Sequence, residues 1–416
     1  MSELSFLEKL LDGADVEWLP LGELATVQRG ASPRPIAQFI TDDENGVPWI
    51  KIGDTSPGSK YVRNTAQKIT KEGAKKSRLL KKGDFIISNS MSFGRPYILK
   101  IDGAIHDGWA SISAFEKSLN SDFLYHYLSS NLVQNYWLSK INSGSVSNLN
   151  ADIIKTLEIP IPCPENPEKS LEIQAEIVRI LDAFTELTAA LTAELSARKK
   201  QYNYYRDQLL TFSDGDVAWK PLSEIAQYSK TRISHDQLDN TNYVGVDNLL
   251  QNRAGKTESN HVPTSGNLTE YRDGDTLIGN IRPYLKKIWH ADRVGGTNGD
   301  VLVIHPTDEN INKRYLYQVL ADDKFFEYNM QHAKGAKMPR GNKLKIIEYP
   351  IPIPYPNDLE KSLAEQARIV DILDKFDALT NSISEGLPRE IELRNKQYEY
   401  YRDLLLNFPK PQEEAA

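Results

Sequence analysis

The sequence predicts an α+β protein in which two mixed α/β domains are joined by two long antiparallel helices that form a coiled coil. It also predicts a pseudo-twofold internal duplication. Segments from the first half of the 416-residue chain return in the same order in the second half. Each half holds a block of short strand-like and helix-like runs, followed by a proline-rich stretch and a long apolar stripe with helical spacing.

The duplication is a tandem pair of large units. The matched segments are WLPLGELA (18–25) with WKPLSEIA (219–226), KGDFIIS (82–88) with DGDTLIG (273–279), RPYILK (95–100) with RPYLKK (282–287), IPIPCP (159–164) with YPIPIP (349–354), EKSLEIQAEIVRILDAF (168–184) with EKSLAEQARIVDILDKF (360–376), and QYNYYRDQLLTF (201–212) with QYEYYRDLLLNF (397–408). Because their order is preserved over the whole length, we expect two similar units and not a solenoid of short repeats.

The two blocks, 20–160 and 220–350, have mixed secondary-structure signals. Runs such as GDFIIS, YVGV and VLVIHP, bounded by Gly, Asn and Asp, predict strands. Residues 121–140 predict a helix that Ser121 could cap. The stretches PIPCPENP and PIPIPYPND are interpreted as hinges that stop the preceding element.

Long helices are predicted after both hinges, because apolar residues recur there every three or four positions. The stripe comprises Ile173, Ile177, Ile180, Phe184, Leu187, Leu191, Leu195, Tyr202, Tyr205, Leu209 and Phe212, and then Ile369, Ile372, Phe376, Leu379, Ile383, Tyr398, Tyr401, Leu405 and Phe408. At ~1.5 Å per residue, a helix over 168–212 would be roughly 65–70 Å long. The second helix has four extra residues and contains EGLPRE (385–390), where Gly386 and Pro388 predict a kink.

Chain order predicts how these helices pair. The first leaves one block and ends at the other, and the second can only pack back along the first. We therefore expect antiparallel helices with the blocks at opposite ends. LLDGADVEW (10–18) resembles LLTFSDGDVAW (209–219), so the chain start and the C-terminus are expected to lie close together.

Composition indicates a soluble protein with some local basic character. The chain has one cysteine and a net charge of −7, while residues 20–160 and 220–348 carry +4 and +2. No apolar run approaches the roughly 20 residues of a membrane span. We expect a cytoplasmic location, no membrane association and no disulfide. Phosphate binding depends on local charge, but imbalances this small could also arise by chance.

No catalytic motif is found in the sequence. A phosphate-binding loop, a Ser-His-Asp elbow and an amino-methyltransferase motif are all missing, and the histidines lack the spacing of a metal site. Residues 322–324 (DDK) have the spacing of a nuclease carboxylate–lysine pair, but they lie in a helix-like run with no clear partner carboxylate and are interpreted as an exposed charged patch. We therefore predict no catalytic and no metal-binding residues in this chain.

Several residues are candidates for contacts with DNA. The run 68–84 is rich in Lys and Arg, including Lys75, Lys76 and Arg78, and is either a solvated face or a set of phosphate contacts. Lys51, in PWIKIGD, fits a turn next to the core or a contact with DNA. Arg95 and Arg282 each precede Pro-Tyr, the second with Tyr284, and are either structural or able to bind guanine or phosphate.

Two loops at matched positions differ in content. KGAKMPRGNKLK (334–345) holds Lys334, Lys337 and Arg340, whereas GSVSNLN (144–150) holds Ser145 and Asn148. Loops with one frame and different side chains are suited to reading different base sequences. The alternative is that both are simple turns.

The twice-written QYxYYRD segment combines packing and surface positions. Tyrosines beside arginine could stack on bases, but Tyr202, Tyr205, Tyr398 and Tyr401 continue the apolar stripe and are predicted to pack between helices. Four residues that fall off the stripe are predicted partner contacts: Tyr204, Arg206, Tyr400 and Arg402.

Taken together, the chain resembles the specificity subunits of type I restriction–modification systems. The resemblance covers essentially the whole chain and is carried by W-x-P-L-x-E at each block entrance, by the two proline-rich helix starts and by RKKQYNYYRDQLL and RNKQYEYYRDLLL at the helix ends. It implies a non-catalytic subunit of a restriction endonuclease and adenine methyltransferase complex. Each block would read one half of a split target in double-stranded DNA, and the helices would set the spacer between the halves.

The resemblance also implies domain limits and partners. Residues 1–165 and 213–357 would be target-recognition domains, 166–212 and 358–410 spacer helices, the second kinked near 386–388, and 411–416 a flexible tail. Two methyltransferase (modification) subunits and restriction/translocase subunits would be partners. Those subunits, and not this chain, would bind S-adenosylmethionine, ATP and Mg²⁺.

Two other functions remain open at this stage. The chain could be a coiled-coil scaffold or adaptor whose terminal domains bind proteins, which salt-dependent binding to mixed duplex DNA would argue against. It could also be an enzyme without a recognisable motif, which methyltransferase activity of the purified chain alone would favour.

Overall fold

A computed structural model describes residues 6–55, 58–89, 94–142, 148–213, 215–382 and 385–410. The helices are α1 (Phe6–Leu11), α2 (Leu21–Leu24), α3 (Lys71–Lys75), α4 (Ser121–Leu128), α5 (Asn131–Asn142), α6 (Ala151–Lys155), α7 (Pro167–Leu209), α8 (Leu222–Ile225), α9 (Lys313–Leu320), α10 (Asp323–Gln331), α11 (Lys343–Ile346), α12 (Leu359–Asn381) and α13 (Gly386–Leu405). The strands of the first block are β1 (Val16–Pro20), β2 (Thr26–Arg29), β3 (Ile40–Thr41), β4 (Val47–Ile50), β5 (Tyr61–Val62), β6 (Gln67–Ile69), β7 (Arg78–Leu80), β8 (Phe85–Ser88), β9 (Pro96–Leu99), β10 (Gly103–Ile105), β11 (Trp109–Ser113) and β12 (Glu158–Pro162). Those of the second are β13 (Val217–Pro221), β14 (Ala226–Tyr228), β15 (Arg232–Ser234), β16 (Tyr243–Val244), β17 (Asn267–Tyr271), β18 (Thr276–Gly279), β19 (Ile288–His290), β20 (Gly295–Thr297), β21 (Val301–Pro306) and β22 (Pro350–Pro354).

The chain forms two compact units, each with its own core. The first unit comprises residues 1–187 and 394–416, and the second comprises residues 188–393. Both boundaries therefore fall within long helices. The predicted class, α+β with mixed sheets and long helices, is confirmed. Among the helices in the described ranges, none is both long and apolar enough to span a membrane.

The two units share a sheet plan. The first has sheets in the orders β2-β11-β8-β9-β5 and β3-β6-β4-β10-β7, and the second has β14-β21-β18-β19 and β15-β17-β20-β16. Each unit has a matched short parallel pair, β4 with β10 and β16 with β20, and the first unit has a second one, β5 with β9. The duplication is thus visible in topology as well as in sequence.

The proline-rich stretches are strands and not only hinges. β12 pairs antiparallel with β1 and sets Pro160 opposite Trp18, and β22 pairs with β13 and sets Pro352 opposite Trp219. Proline is tolerated because a two-stranded ladder leaves one edge of each strand free of hydrogen bonds. The alternating isoleucines point inward, since Ile159 and Ile351 are fully buried. The strand at the start of each block therefore pairs with the strand at its end.

The predicted single helix over 121–140 is divided into α4 and α5, which meet at Ser129 and Ser130. Its cap is Asn120 and not Ser121, because the Asn120 side chain accepts hydrogen bonds from the backbone N–H groups of Asp122 and Phe123. Asparagine at this position satisfies two N–H groups that the first turn leaves unpaired.

In each unit, part of α7 packs against one other long helix. In the first unit Phe184 of α7 stacks on Tyr401 of α13, with ring centres 5.2 Å apart. In the second, Tyr205 of α7 stacks on Phe376 of α12 at 5.5 Å. In each unit the contacts join the apolar stripes, which is the packing that the spacing predicts.

The second long helix is interrupted where Gly386 and Pro388 occur. α12 ends at Asn381 and α13 begins at Gly386, whose φ is +75°. The first helix, α7, runs without a break for 43 residues. The chain start also packs with the chain end, since Leu7 and Leu11 of α1 share a core with Leu405 and Phe408.

Candidate nucleic-acid interface and helix junctions

An asparagine at the end of β8 joins three segments of the first unit. The backbone N–H of Asn89 donates to Gly108 O at 3.1 Å, and Asn89 O accepts from Leu149 N at 3.1 Å. These bonds hold the loop before α6 against the start of β11. Asn150 fixes the other side of that loop by capping α6 through Ile153 N.

The same junction is present in the second unit. The N–H of Asn280 donates to Asp300 O at 2.8 Å, and its carbonyl accepts from Gly341 N at 3.1 Å. Asn342 caps α11, as Asn150 caps α6. The matched loops are therefore held in both units by the same backbone hydrogen bonds. We call this arrangement around Asn89 or Asn280 the frame of its unit.

The side chains on this frame differ between the units. Asn148 precedes the anchored residue in the first unit, and Arg340 precedes it in the second. The residues that accept the asparagine N–H are Gly108 and Asp300. Asp300 pairs with Arg340 at 3.1 Å across the second frame, whereas Gly108 has no side chain.

In the second unit the frame collects several predicted contacts. Lys334 and Arg340 exchange backbone hydrogen bonds at 2.9 and 2.8 Å, which closes the basic loop. The N–H of Arg282, a residue with φ +54°, donates to Pro339 O at 2.7 Å. Lys337, in the same loop, and Tyr284, two residues after Arg282, are both exposed. The loop and the Arg-Pro-Tyr segment thus form one cationic edge.

In the first unit the frame borders a groove of about 530 Å³. Its lining includes Arg29, Asn89, His106, Asp107 and Asn148. The Nδ2 of Asn89 donates to Asp107 O at 3.2 Å, while its Oδ1 is buried and unpartnered among the described residues. Asn280 Oδ1 shows the same feature in the second unit.

Electrostatics set the hydrogen-bonding character of Asp107 and His106 in the first groove. A hydrogen bond from Ser32 Oγ, at 2.8 Å, is the main cause that lowers the pKa of Asp107. Burial lowers the pKa of His106, so its imidazole is neutral at neutral pH. The ionised Asp107 carboxylate can accept from base amino groups, whereas the neutral His106 ring accepts from Gly108 N at 2.7 Å through Nδ1 and therefore has Nε2–H as a donor.

The other predicted contacts of the first unit lie apart from this frame. Lys51 Nζ donates to Gln67 Oε1 at 2.7 Å and lines a neighbouring groove with Trp49. Lys75 and Lys76 are exposed at the end of α3, and Arg78 is in β7. Ser145 lies outside the described residues.

Arg95 occupies a different environment from Arg282. It lines a cavity of about 520 Å³ together with Tyr125, Tyr398 and Arg402. These residues belong to α4 and α13, so the guanidinium is near the helices and not on the Asn89 frame. Arg95 and Arg282, which the repeat suggests are equivalent, therefore occupy different places in their units. The reason is chain length: Arg95 follows Asn89 by six residues, whereas Arg282 follows Asn280 by two.

A glutamine near the start of each long helical segment attaches it to its block. Gln174 accepts from Asn120 N at 2.8 Å and donates to Ser118 O at 3.0 Å. Gln366 repeats this with Asn312 N at 2.8 Å and Asn310 O at 3.2 Å. Both glutamines are fully buried. The repeated EKS-x-x-x-Q pattern is thus a junction that joins each helix to a capped helix of the block.

The structure corrects the prediction for Arg206. This residue is only 3% exposed and donates to the backbone and side-chain oxygens of Gln318, both at 2.5 Å, and to Tyr202 OH. Its position off the apolar stripe predicts a surface contact with a partner. The guanidinium instead satisfies buried polar atoms between α7 and α9.

Arg402 is corrected for the same reason. It is 6% exposed, donates to Ser129 O at 3.2 Å and pairs with Asp403 at 2.9 Å. Tyr204 and Tyr400, in contrast, are 61% and 65% exposed and stay predicted partner contacts. The packing predicted for Tyr202, Tyr205, Tyr398 and Tyr401 is found within the units.

A buried histidine takes the place of Gln318 in the first unit. His126 Nε2 lies 2.9 Å from Asp182 Oδ1, and its Nδ1 lies 2.9 Å from Tyr398 OH. Lys60 also approaches Asp182, at 3.7 Å. Burial lowers the pKa of His126, and the hydrogen bond from His126 lowers the pKa of Asp182.

We expect this histidine to make the first unit acid-sensitive. A histidine with a lowered folded-state pKa stabilises fully above about pH 6.5, and that contribution is lost as the pH falls towards the folded pKa. His126→Gln, which copies Gln318, should flatten the dependence by up to about 1.4 kcal/mol per pH unit. Urea unfolding of both proteins between pH 5 and 8 checks this, and parallel curves would contradict it.

Sequence reasoning missed Asn89, Asn280 and Asp300. The signal was present, because both matched strand segments continue with asparagine, as FIISN and TLIGN. The two asparagines directly follow the matched segments KGDFIIS and DGDTLIG. Asp300 carried no signal, since its role depends on Arg340 reaching it from a loop 40 residues away.

Comparison with known proteins identifies the family. The profile of the type I restriction modification DNA specificity domain matches residues 14–198 and 218–393. The chain belongs to this family. Its two matched segments correspond to the two copies of the internal duplication.

Individual relatives of this specificity family cover nearly the whole chain. The EcoR124I/EcoR124II specificity subunit of Escherichia coli is 37% identical over 432 residues, covering 99% of both chains. The EcoprrI specificity subunit, also from Escherichia coli, is 31% identical and covers 92% of this chain and 93% of its own. The predicted identity as a type I specificity subunit, non-catalytic by itself, is confirmed by this assignment.

Solved structures share the specificity-subunit fold. A chain from a study of complex assembly and conformational transition of the type I restriction–modification system aligns with a TM-score of 0.61, at 15% identity, over 94% of this chain and 97% of its own. The S subunit from M. genitalium aligns with a TM-score of 0.52, at 13% identity, over 96% and 98%. Fold is therefore retained where sequence identity is low.

Proposed function

We propose that each unit reads one half of a bipartite target in double-stranded DNA, through the loops held by Asn89 and Asn280. The observation that carries this proposal is one backbone frame with different side chains at the matched positions. Asn148 lies on the frame in which Gly108 accepts the asparagine N–H, and Arg340 pairs with Asp300 on the other frame. A scaffold that binds two identical partners would have no need for this difference.

The side chains suit base reading. Arginine binds the O6 and N7 atoms of guanine through two donors, and asparagine binds the N6 and N7 atoms of adenine. Asp300 restrains the Arg340 guanidinium at 3.1 Å, so less conformational freedom is lost when a base is bound. The side chain of Arg340 is still 58% exposed and can reach a ligand.

Substitution at these positions should relax one half-site at a time. We expect Asn148→Ala to weaken discrimination only in the half read by the first unit, and Arg340→Ala only in the other half. Each loss should be about 1–3 kcal/mol, or roughly 5- to 150-fold. Methylome sequencing of cells that carry each variant with its partner subunits measures both halves of the motif.

Arg272→Ala is the matched control for Arg340→Ala. Arg272 is also an exposed, ion-paired arginine of the second unit, 2.8 Å from Glu270, but it lies in the turn after β17. Its loss should leave the motif unchanged. Relaxation of both halves by either loop variant would contradict the assignment of one half-site to each unit.

We propose further that the long helices dock two methyltransferase (modification) subunits and, through the assembled complex, restriction/translocase subunits. The exposed Tyr204 and Tyr400, each at the same place in its repeat, are the candidate contacts. The partner subunits would supply S-adenosylmethionine, ATP and Mg²⁺. No cluster of three metal-ligating side chains occurs in the part of this chain that the structure describes. The assembly would act in the cytoplasm.

The helices are also proposed to set the spacer between half-sites. Four residues added to α7, with a matched addition in α13, lengthen a helix by about 6 Å. DNA rises about 3.4 Å per base pair, so the spacer should grow by one or two base pairs. Methylome sequencing should show the same half-site bases with a longer gap. Altered half-site bases would contradict the proposal that helix length sets the spacer.

A further inference from the structure

A tryptophan at the entrance of the first unit is covered by the segment that follows α13. Trp18 Nε1 donates to Pro409 O at 2.9 Å. Lys410 Nζ lies 5.1 Å from the centre of the Trp18 ring and 3.4 Å from Glu158. The segment thus contacts the indole through a proline carbonyl and a following cation, while Phe408 before it is 3% exposed.

The matched tryptophan of the second unit is uncovered. Trp219 lies opposite Pro352 in β22, as Trp18 lies opposite Pro160 in β12. It is 56% exposed, and its Nε1 has no hydrogen-bond partner among the described residues. A groove of about 270 Å³ is formed there by Trp219 together with Leu210, Phe212, Val319, Tyr349 and Pro352.

The path of the chain explains this difference. In the first unit the residues after Phe408 cross Trp18. In the second, the residues after the matched Phe212 turn into β13, which begins at Val217. The tryptophan–proline pair is therefore repeated, but the segment is not, and Pro350 stands where Glu158 pairs with Lys410. Asp322 is the acidic residue that lines the Trp219 groove.

We propose that the Trp219 groove docks an extended, proline-containing segment of a partner protein, with a basic residue after the proline. The chemistry is that of Pro409 and Lys410 on Trp18. An indole N–H donates to the carbonyl of a rigid proline segment, and its ring attracts a cation. Because Pro409 and Lys410 of this chain already lie on Trp18, we infer that another protein supplies the segment. The inference is independent of DNA reading.

The test uses the full chain labelled with 5-fluorotryptophan and a synthetic peptide of residues 409–416, PKPQEEAA. Fluorine NMR follows each indole, and Trp219→Phe assigns the Trp219 signal. We expect the peptide to shift the Trp219 signal and to leave Trp18 unchanged. A peptide with both prolines replaced by alanine should bind at least tenfold more weakly.

A chain that ends at Phe408 provides the positive control, because it exposes the Trp18 groove. The peptide should then shift both signals. Shifts of Trp18 alone, or of neither tryptophan, would overturn the proposal. Concentration-dependent self-association of the full chain that disappears on truncation would also overturn it, since a second copy would then be the occupant. Unchanged signals from the other four tryptophans show that each variant is folded.

Discussion

Arg206→Ala is expected to destabilise the second unit by about 3–5 kcal/mol. The substitution removes the donors that Gln318 and Tyr202 use and leaves their polar atoms buried without partners. It also leaves space where the guanidinium packs 4.8 Å from the Tyr202 ring centre. Urea unfolding, followed by hydrogen exchange in α9, measures the loss in this unit.

Two further substitutions separate a structural role from partner contact. Lys200→Ala removes an exposed cation from the same helix and should change stability by less than about 0.5 kcal/mol. Tyr204→Ala should likewise leave stability unchanged but weaken assembly with modification subunits. If Arg206→Ala weakened assembly and left unfolding unaltered, the buried role assigned to Arg206 would be wrong.

Gly386→Ala is expected to be the most disruptive small substitution in the helices, with a cost of at least about 2 kcal/mol. A Cβ atom there would lie 2.3 Å from Ala378 O and 2.8 Å from Leu379 O. These are backbone atoms of α12, so no side chain can move aside. The φ of +75° adds a further cost for any residue with a Cβ. Thermal unfolding of the variant measures both effects together.

Gly266→Ala separates the two contributions. Gly266 has φ +88° in the same unit, but a Cβ atom would meet nothing within 4 Å. This control should cost only the conformational part, about 1–2 kcal/mol. Equal losses for the two variants would show that α12 and α13 can separate at Gly386 without penalty.

The duplication and the helices could be predicted because they depend on local spacing. Ile177, Ile180 and Phe184 recur at three or four residues, and that period has one physical explanation over so long a stretch. Gly386 and Pro388 could be recognised as an interruption for an equally local reason. The absence of familiar catalytic motifs was also readable, since such motifs are short and contiguous.

Other features depended on partners distant in the chain. The position of Arg206 off the apolar stripe predicts a surface residue, yet Gln318, 112 residues away, makes its burial favourable. Arg95 and Arg282 read as equivalents, yet insertions of different length carry them to different places. The proline-rich stretches are predicted to be hinges, yet they form strands that pair with β1 and β13.

The sequence by itself therefore determined the number of units, their order, the long helices and the family, since these follow from repetition and period. Only the tertiary structure decided which side chains share the Asn89 and Asn280 frames, which arginines are buried, and which tryptophan is covered. Those outcomes depend on hydrogen bonds between segments 19 to 391 residues apart. A local pattern of residue types contains no information on contacts at that separation.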